Sequence, residues 1–281
     1  MDRYAVIGNP IGHSKSPFIH ASFAAQTGQT LQYEAIEAEL DRFPETVRQF
    51  LAEGGKGMNV TVPFKLQAYE LADRVSPRAE SAKAVNTLIL EADGSLTGDN
   101  TDGVGLVRDL NAHHVSIQAR QILVIGAGGA VRGVLGPILE HKPARLVIVN
   151  RTADKARELA KMFAHANPGF VGNIEGIGFE ALAERAGKET FDLVINGSSA
   201  SLSKDLPPLP DGLFGKQAIA YDMAYGTERT VFQRWASEQG AIMALDGLGM
   251  LVEQAAESFF LWRGVRPNTA DVLRSLRAAQ A

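Results

Sequence analysis

Short apolar runs ending in glycine or proline alternate with amphipathic stretches along most of this chain, and that alternation constrains the fold more than any other feature. Strand–helix–strand succession buries its apolar faces most simply as a largely parallel sheet with helices on both sides. Tyr4–Gly8 reads as a buried strand, followed by the turn Asn9–Pro10–Ile11–Gly12. A helix is expected from about Ser16, with Pro17 in the first turn, where a missing N–H costs nothing. Gln32–Ala38 alternates like a strand, Phe43–Ala52 has helical spacing, and Met58–Val62 is a strand stopped by Pro63. Ala84–Leu90 and Gly94–Gly98, split at Asp93–Gly94, read as a hairpin.

A second series starts near residue 120. Gln121–Ile125, Arg145–Val149, Phe191–Ile195 and Ala218–Tyr221 are expected strands, with helices over Ala130–Glu140 and Thr152–Phe163. Leu206–Pro210 reads as an extended surface segment. After Gly247 and Gly249 a long helix runs to Trp262, and a last one starts beyond Pro267. The expected organisation is α/β with two βα-type domains: residues 1–102 plus 247–281, and residues 103–246. The boundary lies in the helix near Asp102–Asn111, with the closing helices packing back on the first domain.

Composition narrows the function classes. The formal net charge is −4 with both signs interspersed, so the basic stripe of a nucleic-acid binder is missing. The chain has no cysteine, which removes disulfides, thiolate metal sites and thiol nucleophiles. No apolar run reaches the ~18 residues of a membrane span, and no export signal opens the chain, so a cytoplasmic location is the expectation.

The segment Ile122–Gly133 joins strand, glycine-rich turn and helix start. Gly126 and Gly128 are spaced as in a dinucleotide fingerprint, with Val131 where a third small residue is expected. Such a turn brings backbone N–H groups and a helix N-terminus to a pyrophosphate, although a tight turn without a ligand would look the same. About twenty residues on, an NAD site usually places an acid. Here Asn150–Arg151–Thr152 and Lys155 stand instead, favouring a 2′-phosphate and hence NADP(H). A solvated cation is the plainer account of Arg151.

Four polar clusters fall at strand ends in the first domain: His13–Pro17, Asn59–Lys65, Ala84–Thr87 and Gly98–Gly103. Ligands of open α/β sheets bind at the carboxyl ends of strands. Hydroxyls, amides, one ammonium and carboxylates suit a small polyhydroxylated, anionic molecule, and no metal-ligand spacing is present. Each cluster also has a plainer reading: Ser14 and Ser16 as helix caps, Asn59 and Asn86 as turn formers, Lys65 and Asp102 as a surface ion pair.

The strings Gly8–Pro17, Gly57–Lys65, Ala84–Thr87, Gly98–Gly105, Gly126–Ala130, Asn150–Thr152, Tyr221–Met223 and Asp246–Val252 together resemble the shikimate dehydrogenase family, in its order and over nearly the whole chain. The resemblance implies an N-terminal substrate domain, a C-terminal Rossmann-like NADP-binding domain, and NADPH-dependent reduction of 3-dehydroshikimate to shikimate on the route to aromatic amino acids. It places Ser14 and Ser16 on the substrate carboxylate. Asn59, Thr61, Lys65, Asn86, Asp102, Tyr225 and Gln254 would surround the ring, with Lys65 and Asp102 as the acid/base pair. The cofactor would fall to Gly126, Ala127, Gly128, Gly129, Ala130, Asn150, Arg151, Thr152, Lys155, Met223 and Gly247.

The chain departs from the family pattern at Val131, at Lys155, over Asn196–Gly197–Ser198–Ser199–Ala200–Ser201, and at Ala224, all on the cofactor side or its edge. The alternatives are a quinate/shikimate dehydrogenase using NAD or either cofactor, and a non-catalytic dinucleotide sensor. Intact Lys65 and Asp102 weigh against the sensor.

Overall fold

The structure is a computed structural model and describes residues 1–167, 169, 172–198, 200 and 205–279. The chain divides into two compact units, one formed by residues 1–108 and 251–279, the other by residues 109–250. Each has one six-stranded sheet.

In the first unit the order of elements is β1 (Asp2–Gly8), α1 (Ser16–Thr27), β2 (Leu31–Glu37), α2 (Phe43–Ala52), β3 (Gly55–Val60), α3 (Lys65–Leu71), β4 (Arg74–Val75), α4 (Pro77–Ala82), β5 (Thr87–Leu90) and β6 (Leu96–Asp99). Helix α5 (Asp102–Ala112) follows and carries the chain into the second unit. The strand order is β2-β1-β3-β5-β6-β4. Three of its five pairings are parallel, and β5 is antiparallel to both neighbours. Strand β1 lies inside the sheet, between β2 and β3, and its last five residues are buried, as continuous apolar runs of parallel sheets are. The antiparallel β5 has a positional consequence. Its amino end lies beside the carboxyl ends of β3 and β6, so Asn59, Thr87 and Asp99 form one row across the three strands.

The second unit continues with β7 (Gln121–Ile125), α6 (Gly129–Glu140), β8 (Arg145–Val149), α7 (Ala153–Ala166), β9 (Ile174–Ile177), α8 (Phe179–Arg185), β10 (Phe191–Asn196), β11 (Phe214–Asp222), α9 (Val231–Glu238) and β12 (Met243–Leu245). All pairings are parallel in the order β12-β11-β10-β7-β8-β9. Read from β9, this is the doubly wound order of dinucleotide-binding folds, and the chain reverses direction beside β7. The expected surface segment at 206–210 is more than that. Leu206 and Leu209 pack against the core of this unit and Pro207 is buried.

Helix α10 (Leu248–Arg263) begins in the second unit and returns the chain to the first, where α11 (Thr269–Ala278) ends it. In the first unit Trp262 stacks on Tyr4 with centroids 4.7 Å apart and donates its indole N–H to the Leu88 carbonyl at 3.0 Å. A Cβ on Gly57 would strike that indole, so the strand carries a glycine where the helix crosses it.

Two departures in the second unit fit one another. Val131 is fully buried in the first turn of α6, and a Cβ on Gly197 would come within 2.6 Å of its Cγ2 and 2.7 Å of Met223 Sδ. The larger residue at 131 is accommodated because 197 has no side chain. Gly197→Ala is expected to destabilise the protein by about 1–3 kcal/mol through overpacking. Val131→Ala in the same chain should recover part of that loss, because the two sites share one space. Strictly additive melting shifts for the pair would show the contact to be unimportant.

His20 on α1 is wholly buried, stacked 4.1 Å from the Tyr33 ring and flanked by Phe23, Phe259 and Trp262, and among the described residues neither ring nitrogen has a hydrogen-bond partner within 3.5 Å. Burial pushes its pKa down to about 3. The unfolded chain therefore takes up this proton near pH 6.5 while the folded chain resists it, so stability is full above pH 6.5 and falls towards pH 3. The limit of the effect is roughly 5 kcal/mol, set by the distance from the ordinary value of 6.5 down to about 3. His20→Leu should flatten the melting temperature against pH across that window. Parallel curves for the variant and the wild type would place the acid sensitivity elsewhere.

Candidate active site

Lys65 and Asp102 each open a helix of the first unit, α3 and α5, at the sheet edge where the polar row ends. Lys65 follows Phe64, which is fully buried and stacked on Phe43 at 4.7 Å, and its carbonyl accepts the Val85 N–H at 2.9 Å. Asp102 sits in the first turn of α5, where the helix dipole favours a carboxylate, and its own N–H donates to Asn100 Oδ1. Nζ of Lys65 lies 2.5 Å from Asp102 Oδ2, with the two side chains only 11% and 6% exposed. The pair is a buried ion pair and not the surface one that the sequence also allowed.

A web of neutral polar groups surrounds it. Asn86 Nδ2 donates to Asp102 Oδ1 and to Thr101 Oγ1, both at 2.9 Å, with Gln254 Oε1 at 3.2 Å. Asn59 Oδ1 accepts the Tyr33 hydroxyl at 2.7 Å, and its Nδ2 donates to Ser258 Oγ at 2.9 Å. Asn59 and Asn86 are thus structural members of the web, able to reach a ligand only by exchanging bonds they already make. Gln254 has one N–H on the Leu251 carbonyl, leaving the other for a ligand. Ser16 is buried and Ser14 half-buried at the start of α1, and neither acts as its helix cap. Lys15 holds that position, while Ser14 Oγ accepts the Ser16 N–H at 3.3 Å. Thr61, half-buried just past β3, packs its methyl where a Cβ on Gly8 would otherwise stand.

Behind this web Glu257 of α10 is gripped by Arg78, Arg108 and Arg266. Burial alone would raise its pKa, but the Arg266 and Arg108 hydrogen bonds outweigh that and lower it to about 2. Arg78 also holds Asp99, whose carboxylate accepts the Asn100 N–H. Sequence reasoning missed Tyr33, Thr87, Thr101, Ser258 and this arginine cluster as parts of the site. Thr87 and Thr101 lie inside the recognised strings, and Ser258 is one turn from Gln254, so helical spacing could have pointed to it.

In the second unit Gly126 takes φ +112° in the turn after β7, and a Cβ there would stand 3.0 Å from the Gly197 carbonyl oxygen. Gly128 caps α6 without a side chain, and the space its Cβ would take is open. The first-turn N–H groups, from Gly129 and Ala130 onward, therefore face an accessible cradle suited to an anion. At the end of β8, Asn150 Nδ2 donates to the Thr152 carbonyl at 3.0 Å, and Thr152 caps α7 without using its side chain. Arg151 and Lys155 are exposed beside it, and among the described residues neither side chain is held in an ion pair. Met223 N–H donates to the Asn196 carbonyl, and a Cβ on Gly247 would collide with the Met223 carbonyl. Tyr225, its hydroxyl pKa raised by burial, also belongs to this unit, unlike the other substrate candidates. Ser199 and Ser201 lie outside the described residues.

Three family models match the chain: a shikimate dehydrogenase substrate binding domain over residues 6–88, a shikimate/quinate 5-dehydrogenase over 109–200, and a shikimate 5′-dehydrogenase C-terminal domain over 247–277. The chain is 57% identical over 277 residues to a shikimate dehydrogenase (NADP(+)) of Alkalilimnicola ehrlichii, covering 98% of each. It is 54% identical over 279 residues to a protein of that name from Cupriavidus pinatubonensis, covering 99% of this chain and 94% of that one. It also superposes with TM-score 0.85 on shikimate 5-dehydrogenase from Thermus thermophilus in complex with NADP(H) and shikimate, at 33% identity over 99% of this chain and 100% of that one. With relatives this similar along its whole length, the chain belongs to the shikimate dehydrogenase family.

Proposed function

We propose that the protein is an NADP-dependent shikimate dehydrogenase of the cytoplasm, reducing 3-dehydroshikimate reversibly to shikimate. The observation that carries the mechanism is the buried Lys65–Asp102 pair, 2.5 Å apart, with the Asn86 amide holding the other Asp102 oxygen. The first unit is the substrate-binding one, with Ser14 and Ser16 donating to the substrate carboxylate and Thr61 and Gln254 to its hydroxyls. Tyr225, in the second unit, is the remaining substrate-binding candidate.

The dinucleotide fits the second unit on its own chemistry. The Gly126–Ala130 cradle offers backbone donors to the pyrophosphate, Asn150, Thr152, Arg151 and Lys155 offer neutral and cationic donors to a 2′-phosphate, and Met223 and Gly247 border the nicotinamide end. When bound, NADPH supplies the hydride. Lys65 then stabilises the charge growing on the carbonyl oxygen and delivers the proton to it. Asp102 holds the ammonium in place, and in the oxidative direction the pair takes the hydroxyl proton as one coupled unit.

The direct test is absorbance of reduced nicotinamide after mixing protein, NADP⁺ and shikimate, with quinate and NAD⁺ as controls. A higher kcat/KM for NADP⁺ than NAD⁺ and for shikimate than quinate is expected. Lys65→Ala should lose at least ~10²-fold in kcat while NADP⁺ binding by calorimetry is retained. A kcat within threefold of wild type, about 0.65 kcal/mol of barrier, would remove Lys65 from its role.

A further inference from the structure

Thr87 is the second polar residue of the Ala84–Thr87 string, is left without work by the mechanism, and is fully buried beside Asn86. Proton counting around Asn86 shows what it does. The amide oxygen of Asn86 accepts the Thr101 backbone N–H at 2.8 Å and lies 2.9 Å from Thr87 Oγ1 and 3.2 Å from Thr101 Oγ1. Thr101 Oγ1 is already the acceptor for Asn86 Nδ2 at 2.9 Å, so its own proton is best directed to Gln254 Oε1 or Ser258 Oγ. At 2.9 Å the Thr87 hydroxyl is the nearer of the two to the second lone pair of the Asn86 oxygen and is assigned to it, with the Ser258 proton shared between Thr87 Oγ1 at 2.8 Å and the Gln254 carbonyl at 3.1 Å. With both lone pairs occupied, Asn86 turns only N–H groups towards Asp102, and Asp102 Oδ1 receives one of them while Oδ2 faces Lys65.

We propose that Thr87 is a positioning residue: by donating to the Asn86 amide oxygen it holds that amide, and through it the Asp102 carboxylate, in the orientation that presents Lys65 to the substrate. Having spent its proton on Asn86, the Thr87 oxygen is left as an acceptor for Ser258 at 2.8 Å and Asn59 at 3.2 Å. Thr87 thereby joins α10 and β3 to the amide it orients. The inference rests on the acid/base reading of Lys65 and Asp102.

The test compares Thr87→Val, which keeps the shape and removes the hydroxyl, with Thr87→Ser, which keeps the hydroxyl. Steady-state kinetics with shikimate and NADP⁺ are measured well below each melting temperature. Thr87→Val is expected to lower kcat about tenfold, with KM for NADP⁺ within twofold of wild type, and Thr87→Ser to keep at least half of kcat. Thr87→Val with kcat within twofold of wild type, or Thr87→Ser as impaired as Thr87→Val, would overturn the proposal. Should Thr87→Val fail to fold, Thr87→Ser against Thr87→Ala gives the same comparison with the same two outcomes. Failure of the underlying reading is distinguishable, because it would show as an active Lys65→Ala enzyme.

Discussion

A lysine and an aspartate withdrawn from water as a contact pair are expensive to bury, and their mutual attraction offsets that cost only when the remaining donors and acceptors are satisfied. Much of the architecture of the first unit meets this requirement around Lys65 and Asp102. One carboxylate oxygen takes the lysine and the other takes Asn86, whose amide is in turn filled by Thr87 and Thr101. Hydroxyls dominate the next layer because a hydroxyl both gives and receives, so it can close a network that amides alone would leave unbalanced.

The antiparallel strand β5 makes this arrangement possible. In an all-parallel sheet, a strand contributes only its carboxyl end to the ligand edge. Reversing β5 brings Asn86 and Thr87, at its amino end, to that edge, beside Asn59 of β3 and Asp99 of β6. A short hairpin thus supplies two groups of the web from neighbouring strands without a crossover helix. The Asp99–Arg78–Glu257 cluster then ties the hairpin to α10, the helix that carries Gln254 and Ser258.

The long apolar strands and glycine turns were legible in the sequence because burial on both faces leaves a continuous run, as in Ile122–Ile125 and Leu146–Val149. The short edge strands were not. Strand β4 has two residues and β12 three, and β9 contains Gly176, which sits against the backbone of α7 and could hold no side chain. In the site, Lys65 and Asp102 were readable from motif and charge type. Ser258 and Tyr33 were hidden because each supports another residue across a large sequence separation, and no local pattern records a contact of that kind.

Departures from a family pattern carry different meanings once the contacts are seen. Val131 and Gly197 each depart from it, and read separately both would cast doubt on the turn after β7. Together they exchange volume across one contact, the valine methyl taking the space that a side chain at 197 would need. The backbone of the turn is then free to keep its shape, because the steric change is absorbed behind it and not at the open face of Gly128. Lys155 differs in kind. It is exposed, so replacing a guanidinium by an ammonium there changes the geometry offered to a phosphate without any packing partner to compensate. On the proposed reading, discrimination at the 2′-phosphate would rest chiefly on Arg151, whose planar fork can pair with a phosphate in a way that a lysine ammonium cannot.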